Sequence, residues 1–215
     1  MRTLIDRRSF LKTSAALAVS AAAGRYLNRN AYGASRDRVT IYHSSVADSI
    51  NPYNHSSSPI YGNWQHVMEP LVELDYKKQD YVGILADSWQ FQGNKWTFKL
   101  KKGIKFHNGS PLTSKDVAFS IEKMRDEKGG SLQAPNFKDV TEVQTPDDLT
   151  VVFVTKQPLA IFLDRLENRF ILSKVAGDKY GDKLYDNPIG TGPYKFVSYQ
   201  RGGNMVFTRN DEYWD

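Results

Sequence analysis

Residues 187–196 read "NPIGTGPYKF", and the Gly-x-Gly inside this stretch is the pattern that most resembles a phosphate loop. Such a loop needs free backbone N–H groups leading into a helix, commonly with Lys-Ser/Thr or a third glycine behind the first two. Here Gly190-Thr191-Gly192 runs into Pro193, which has no N–H, and then into alternating residues that read as a strand. The phosphate reading fails on both counts. The expectation is a sharp structural turn, in which Gly190 and Gly192 supply backbone conformations other residues avoid and Pro193 leads into the strand.

The other chemical candidates carry less. His43, His55, His66 and His107 have no short spacing such as H-x-x-x-H, so no metal site is expected. The chain has no cysteine, which excludes thiol catalysis and thiolate metal sites. Ser56-Ser57-Ser58 is not framed by a G-x-S-x-G elbow. Asp147 and Asp148 are adjacent and project apart, so they read as a turn before a strand rather than a catalytic acid pair. No spacing supports catalysis, and no cofactor is expected.

The elements around these residues begin with "MRTLIDRRSFLKTSAALAVSAAAGRYLNRNAYGAS". Arg7 and Arg8, followed by Phe10 and Leu11, precede a mild Ala-rich stretch and small residues near Ala34. This order predicts a twin-arginine export signal over residues 1–34, recognised by the twin-arginine translocase and cleaved on delivery to the periplasm. Residues 1–34 hold six of the 29 basic and one of the 24 acidic residues, which leaves 23 of each in the remainder. A balanced mature chain offers no electrostatic case for nucleic acid.

Residues 38–44, "RVTIYHS", read as a first strand, followed by a polar loop. Ile60, Trp64, Val67, Met68 and Leu71 recur at helical intervals, predicting a helix from Ser58 to about Glu69 that Pro70 ends. "LVELD" reads as a short strand. Trp89 and Phe91, then Trp96 and Phe98, alternate around "QGN" and predict a hairpin with an aromatic core face. In "LTSKDVAFSIEKMRDE", Thr113 caps a helix with Asp116, Val117, Ile121 and Met124 mark its buried face, and Gly129 and Gly130 stop it.

Further on, 131–148 is irregular and 149–155 is a strand. Pro158 starts a short helix, and a second helix after Ser173 is interrupted near Gly181. Residues 194–199 and 205–209 form a closing hairpin.

Taken in order, "EPLVELD", "LADSWQFQGNKWTFKLKKGIKFHNGSPLTSKDVAFSIEKM", "DDLTVVFVT", "NPIGTGPYKF" and "RNDEYW" closely resemble the family 5 extracellular solute-binding proteins. These are the dipeptide, oligopeptide and nickel receptors of ABC importers. The resemblance implies a mixed α/β, periplasmic-binding-protein-like venus-flytrap fold of type II. It implies a monomer that closes over a peptide or similar small solute and delivers it to a membrane permease without turnover.

Residues 36–61 would open lobe I, 62–174 would form a small inserted domain, and 175–215 would return to lobe I. The family's early ligand contacts correspond to His55, Ser56, Ser57, Ser58 and Tyr61, and a second candidate loop, 129–133, contributes Ser131 and Gln133. Family members are much longer, so the chain is expected to stop before the second lobe. Two other readings compete: an exported, cofactor-loaded enzyme, and a fragment with no function of its own.

Overall fold

The computed structural model describes residues 50–54, 62–200 and 204–215. The predicted export signal, the predicted first strand at 38–44, the loop 55–61 and the turn at 201–203 lie outside the described residues. Strand β1 (Val72–Asp75) forms from "VELD" as expected and pairs antiparallel with β2 (Asp80–Gly83). The sequence reading missed β2, a four-residue strand with little alternation of its own.

The predicted aromatic hairpin is present as β3 (Ala86–Gln92) and β4 (Lys95–Leu100). Phe91 lies opposite Trp96 and Trp89 opposite Phe98. These two strands join β5 (Val140–Asp147) and β6 (Thr150–Thr155) in an antiparallel sheet of order β3-β4-β6-β5. Strand β5 fills part of the stretch read as irregular. It is an edge strand whose register shifts twice, so its sequence "VTEVQTPD" has no clean period of two. Asp147 closes the β5–β6 turn by accepting from the Leu149 amide at 2.9 Å and the Thr150 hydroxyl at 2.7 Å.

Helix α1 (Ser114–Arg125) buries Val117, Ile121 and Met124 completely, the face its spacing predicts. The Thr113 amide and hydroxyl both donate to Asp116 Oδ2, at 2.8 and 2.7 Å. That arrangement spends the Asp116 carboxylate on the helix start. The helix ends at Arg125, ahead of the two glycines expected to stop it, because Asp126 begins a turn by accepting from the Gly129 amide at 2.8 Å. Helix α2 (Ala134–Phe137) follows.

Helix α3 (Phe162–Leu166) starts four residues after Pro158, and not at it. The indole of Trp96 donates to the Leu159 carbonyl at 2.9 Å, which holds the intervening backbone in a turn. Helix α4 (Lys174–Tyr180) gives way at Gly181, with φ +54°, to a 3-10 turn (Gly181–Asp186), the interruption expected there. The closing hairpin forms as β7 (Tyr194–Tyr199) and β8 (Met205–Arg209).

The core is aromatic where the sheet meets α2 and α3. Phe153 packs on Phe98 at 5.5 Å and on Phe162 at 5.0 Å, and Phe137 meets Phe162 edge-on at 6.5 Å. The aromatic hairpin face is core on β4, where Trp96 and Phe98 are buried, and opens toward the edge strand, where Phe91 is 37% exposed. All described residues fall in one unit, Ser44–Asp215.

Candidate functional site

The candidate ligand loop at 55–61 is not described, but the residues on both sides of it are. Before it, Asn51-Pro52-Tyr53 forms a turn in which the Tyr53 amide donates to Asn51 Oδ1 at 2.8 Å. Tyr53 is buried, its hydroxyl donates to the Phe170 carbonyl at 2.6 Å, and its ring meets Tyr185 edge-on at 6.5 Å. After the loop, Trp64 is fully buried against Phe196, with ring centres 6.1 Å apart. The stem of the loop is therefore anchored at both ends by groups more than a hundred residues further along the chain.

The second candidate loop is held to the turn that precedes the first. The Leu132 amide donates to the Tyr53 carbonyl at 3.0 Å. Ser131 and Gln133 are both buried. The Ser131 hydroxyl donates to the Met124 carbonyl at 2.7 Å, satisfying an open acceptor at the end of α1, and accepts from the Gln133 amide at 3.2 Å. Gln133 Oε1 accepts from Asn136 at 3.1 Å. The outward side chain of this loop is Leu132, 53% exposed.

The helix predicted from Ser58 to Glu69 is shorter within the described residues, where only 62–64 is helical and 65–67 is a turn. The Val67 and Met68 amides both donate to the Trp64 carbonyl, at 2.9 and 2.7 Å. The His66 and Val67 carbonyls are taken by the glycine turn: Gly192 N–H donates to Val67 O at 3.0 Å and Tyr194 N–H to His66 O at 2.9 Å. Pro70 has no N–H to give to His66 O, so that carbonyl is open to the glycine turn where the helix ends.

That contact also corrects the role expected of the two glycines. Neither Gly190 nor Gly192 has a positive φ. They are needed for close approach instead: a Cβ on Gly190 would sit 1.9 Å from Val67 O, and one on Gly192 2.7 Å from His66 O. The prediction of a turn into a strand holds, with Pro193 directly before β7, and the Pro193 carbonyl accepts from the Asn210 amide at 2.8 Å.

His107, from "FHNGSP", grips this turn from the other side. Its amide donates to Gly190 O at 2.9 Å, its Nδ1 accepts from Gly190 N–H at 3.3 Å, and its Nε2 lies 2.9 Å from Gly192 O. A carbonyl only accepts, so the ring is the neutral tautomer with its proton on Nε2. Burial holds its pKa below the ordinary value, Lys195 adds to the effect, and the bond to Gly192 opposes it.

A further polar node lies by the end of the described chain. Glu69 is 5% exposed and accepts from the Tyr213 hydroxyl at 2.7 Å and the Trp214 indole at 2.9 Å. Beside it a cleft of about 320 Å³ is lined by Glu69, Glu73, Lys101, Tyr213 and Trp214, among others. Burial, helped by Glu167 and Glu69, raises the pKa of Glu73. Burial and the contact to Glu69 raise the phenol of Tyr213, which stays a donor at neutral pH. His107, Tyr53 and Glu69 carried no role in the sequence reading, because each finds its partners 83 to 145 residues away and leaves no local spacing.

The fold defines a class first: mixed α/β, with solved periplasmic binding proteins of type II as its neighbours. The structure of the ABC transporter-associated periplasmic binding protein DppA from Helicobacter pylori, in complex with peptide STSA, superposes with a TM-score of 0.70 at 26% identity. That match covers 80% of this chain and 38% of the other. OppA of Haemophilus influenzae, in complex with RPPGFSPFR, matches in fold at a TM-score of 0.74 and 23% identity, over 84% of this chain and 39% of that one.

The chain belongs to the bacterial extracellular solute-binding proteins of family 5, whose model, described as "Bacterial extracellular solute-binding proteins, family 5 Middle", matches residues 80–215. A putative ABC transporter peptide-binding protein of Brucella ovis is 37% identical over 154 residues, 67% of this chain and 29% of that protein. The probable D,D-dipeptide-binding periplasmic protein DdpA of Escherichia coli is 31% identical over 191 residues, 83% of this chain and 37% of that protein. The chain thus spans well under half the length of these relatives.

Proposed function

We propose that this chain serves a solute receptor that binds peptides, or a similar small solute, and presents them to the permease of an ABC importer without catalysing any reaction. The observation that carries the proposal is the membership of residues 80–215 in the family, together with a fold shared with peptide-bound receptors. In this reading 36–61 opens lobe I, 62–174 is the inserted domain and 175–215 returns to lobe I. His55, Ser56, Ser57, Ser58 and Tyr61 supply ligand contacts from a loop whose flanks are pinned by Tyr53 and Trp64. Ser131 and Gln133 act through the backbone they hold, since their side chains are committed to the protein.

Residues 1–34 act as a twin-arginine signal that delivers the protein to the periplasm, where it works as a monomer.

The test is thermal unfolding of the chain alone and with Ala-Ala or mixed oligopeptides. A ligand that binds the native form raises stability by about 2.7 kcal/mol at a hundred times its Kd. A midpoint that rises with peptide, and rises less in Ser56→Ala or Ser58→Ala, is the expected outcome. A cooperative transition that no peptide moves would sink the peptide reading for this chain. Export is tested separately by fusing residues 1–34 to a reporter, with loss of export expected when Arg7 and Arg8 are both replaced by Lys.

A further inference from the structure

The geometry points to Asn108 as a self-modifying site, where the Gly109 nitrogen closes on the side-chain amide, expels ammonia and leaves an aspartate or isoaspartate. Asn108 is the only asparagine of the chain that a glycine follows. Both residues are exposed at the tip of a turn closed by the Phe106 amide on Ser110 O at 2.9 Å. The side chain is already curled back over the next peptide. Its Oδ1 accepts from the Ser110 amide at 3.1 Å and from the Ser110 hydroxyl at 2.7 Å. The φ of +82° at 109 favours glycine, so no Cβ shields the attacking nitrogen, and the space around its Cα is open.

The reaction balances with water as the only co-reactant. The Gly109 amide gives its proton to solvent, and its nitrogen bonds to Asn108 Cγ to close a cyclic imide. The electron pair of the Cγ–Oδ1 double bond moves onto Oδ1, where the two Ser110 donors already point. It returns as the Cγ–Nδ2 bond breaks, and Nδ2 takes up a proton and leaves as ammonia. Water then opens the imide at Cγ to give aspartate's isomer, isoaspartate, by way of the main-chain carbonyl carbon, or aspartate by way of Cγ itself. Donors fixed on the oxygen that gains charge lower such a barrier, and Ser110 supplies both.

One bond stands against the reaction: the Gly109 N–H donates to Phe106 O at 2.8 Å and must open first. That opening is local, because Asn108 and Gly109 are both exposed. The Ser110 donors lie beyond the opened bond and stay on Oδ1. Other asparagines lack the arrangement. Asn94 spends its amide on the Thr155 carbonyl at 2.8 Å, and Asn51 and Asn187 precede prolines, whose nitrogen has no proton to lose.

The product changes more than one side chain. Isoaspartate carries the main chain through the former side chain, which lengthens it by one carbon inside a closed turn, so Phe106 and Ser110 no longer stand opposite each other. His107 sits in that turn and holds Gly190 and Gly192 by its amide and both ring nitrogens. Modification of Asn108 thus weakens the hold of this turn on the glycine turn.

The test incubates the full chain at neutral pH for days to weeks and follows the peptide 106–115, released by cleavage after Lys105 and Lys115, by mass and against synthetic standards. Conversion of Asn108, with a mass gain of about 1 Da and isoaspartate among the products, is expected ahead of Asn54, Asn94 and Asn204. An unmodified peptide, aspartate as the sole product, or equal conversion at those three sites overturns the proposal. Ser110→Ala should slow conversion about tenfold or more in the folded chain, and leave it unchanged in urea, where the turn is gone. A folded Ser110→Ala that converts as fast as the native chain overturns the part given to Ser110. Should that variant not fold, the comparison among asparagines of the native chain still decides. The separated isoaspartate form should unfold at a midpoint lower by at least about 2 °C, and equal midpoints overturn the link to His107.

Discussion

Glu69 and Tyr213 stand 144 residues apart in sequence and share a 2.7 Å hydrogen bond, with the Trp214 indole donating to the other oxygen of the same carboxylate. Glu69 is buried at 5% exposure, so both donors lose their partner together if the carboxylate is removed. Glu69→Ala should destabilise the chain by about 2–3 kcal/mol, the range for hydrogen bonds to a charged group. Glu69→Gln keeps one acceptor and should cost less. Urea unfolding of the two variants against the native chain measures both, and an unchanged Glu69→Ala midpoint would show that the carboxylate holds nothing in place.

The two glycines of the turn separate close approach from conformational freedom. Gly190→Ala drives a Cβ to 1.9 Å from a backbone oxygen that cannot rotate away, and a cost of about 3 kcal/mol or more is expected. Gly62 has open space around its Cα and no positive φ. Gly62→Ala, in the helical turn 62–64, should instead be neutral or stabilise by up to about 1 kcal/mol. Gly190→Ala must lower the thermal midpoint while Gly62→Ala leaves it unchanged or raises it, or the close-contact explanation is wrong.

Glu73 makes a prediction about pH. Burial raises its pKa above the ordinary 4.5, and Glu167 and Glu69 add to the effect. A raised value means the folded chain holds the proton better than the unfolded chain. The favourable contribution is therefore present below 4.5 and lost as the pH rises through the folded value. Glu73→Gln removes a charge that is unwelcome at neutral pH, so it should raise the midpoint at pH 7 and give no gain at pH 4. A gain that persists at pH 4 would assign the effect to packing instead.

Asp116 joins two helices. Its Oδ2 takes the Thr113 amide and hydroxyl, and its Oδ1 takes the Lys174 amide at 2.7 Å, at the start of α4. Asp116→Ala should cost about 3 kcal/mol, more than the ~1 kcal/mol of an ordinary helix cap. Far-UV circular dichroism with urea titration checks this. A loss no larger than that of Thr113→Ala would mean the link to α4 contributes little.

Much of the fold was legible because its signals are local. The α1 face of Val117, Ile121 and Met124, the Thr113–Asp116 start and the aromatic hairpin all rest on neighbours within a few residues, where period and capping chemistry are written directly. The misses share a cause. Strand β5 loses its alternation to two register shifts, and the predicted 58–69 helix gives way to a turn at 65–67 whose His66 and Val67 carbonyls bond Tyr194 and Gly192 from far down the chain. The helix expected at Pro158 starts only at Phe162, where the Leu159 carbonyl accepts from both the Phe162 amide and the Trp96 indole, 63 residues earlier in the chain.

For the candidate site the division is similar. The order of motifs from "EPLVELD" to "IGTGPY" determined the family by itself, and the absence of cysteine and of a phosphate loop narrowed the chemistry. That Gly190 and Gly192 serve contact rather than turning, and that His107 grips them, only the tertiary structure decided. So did the pairing of the loop 129–133 with Tyr53. The reason is physical: hydrogen bonds and van der Waals contact act over a few ångströms of space, and sequence spacing encodes that distance only where the chain stays close to itself.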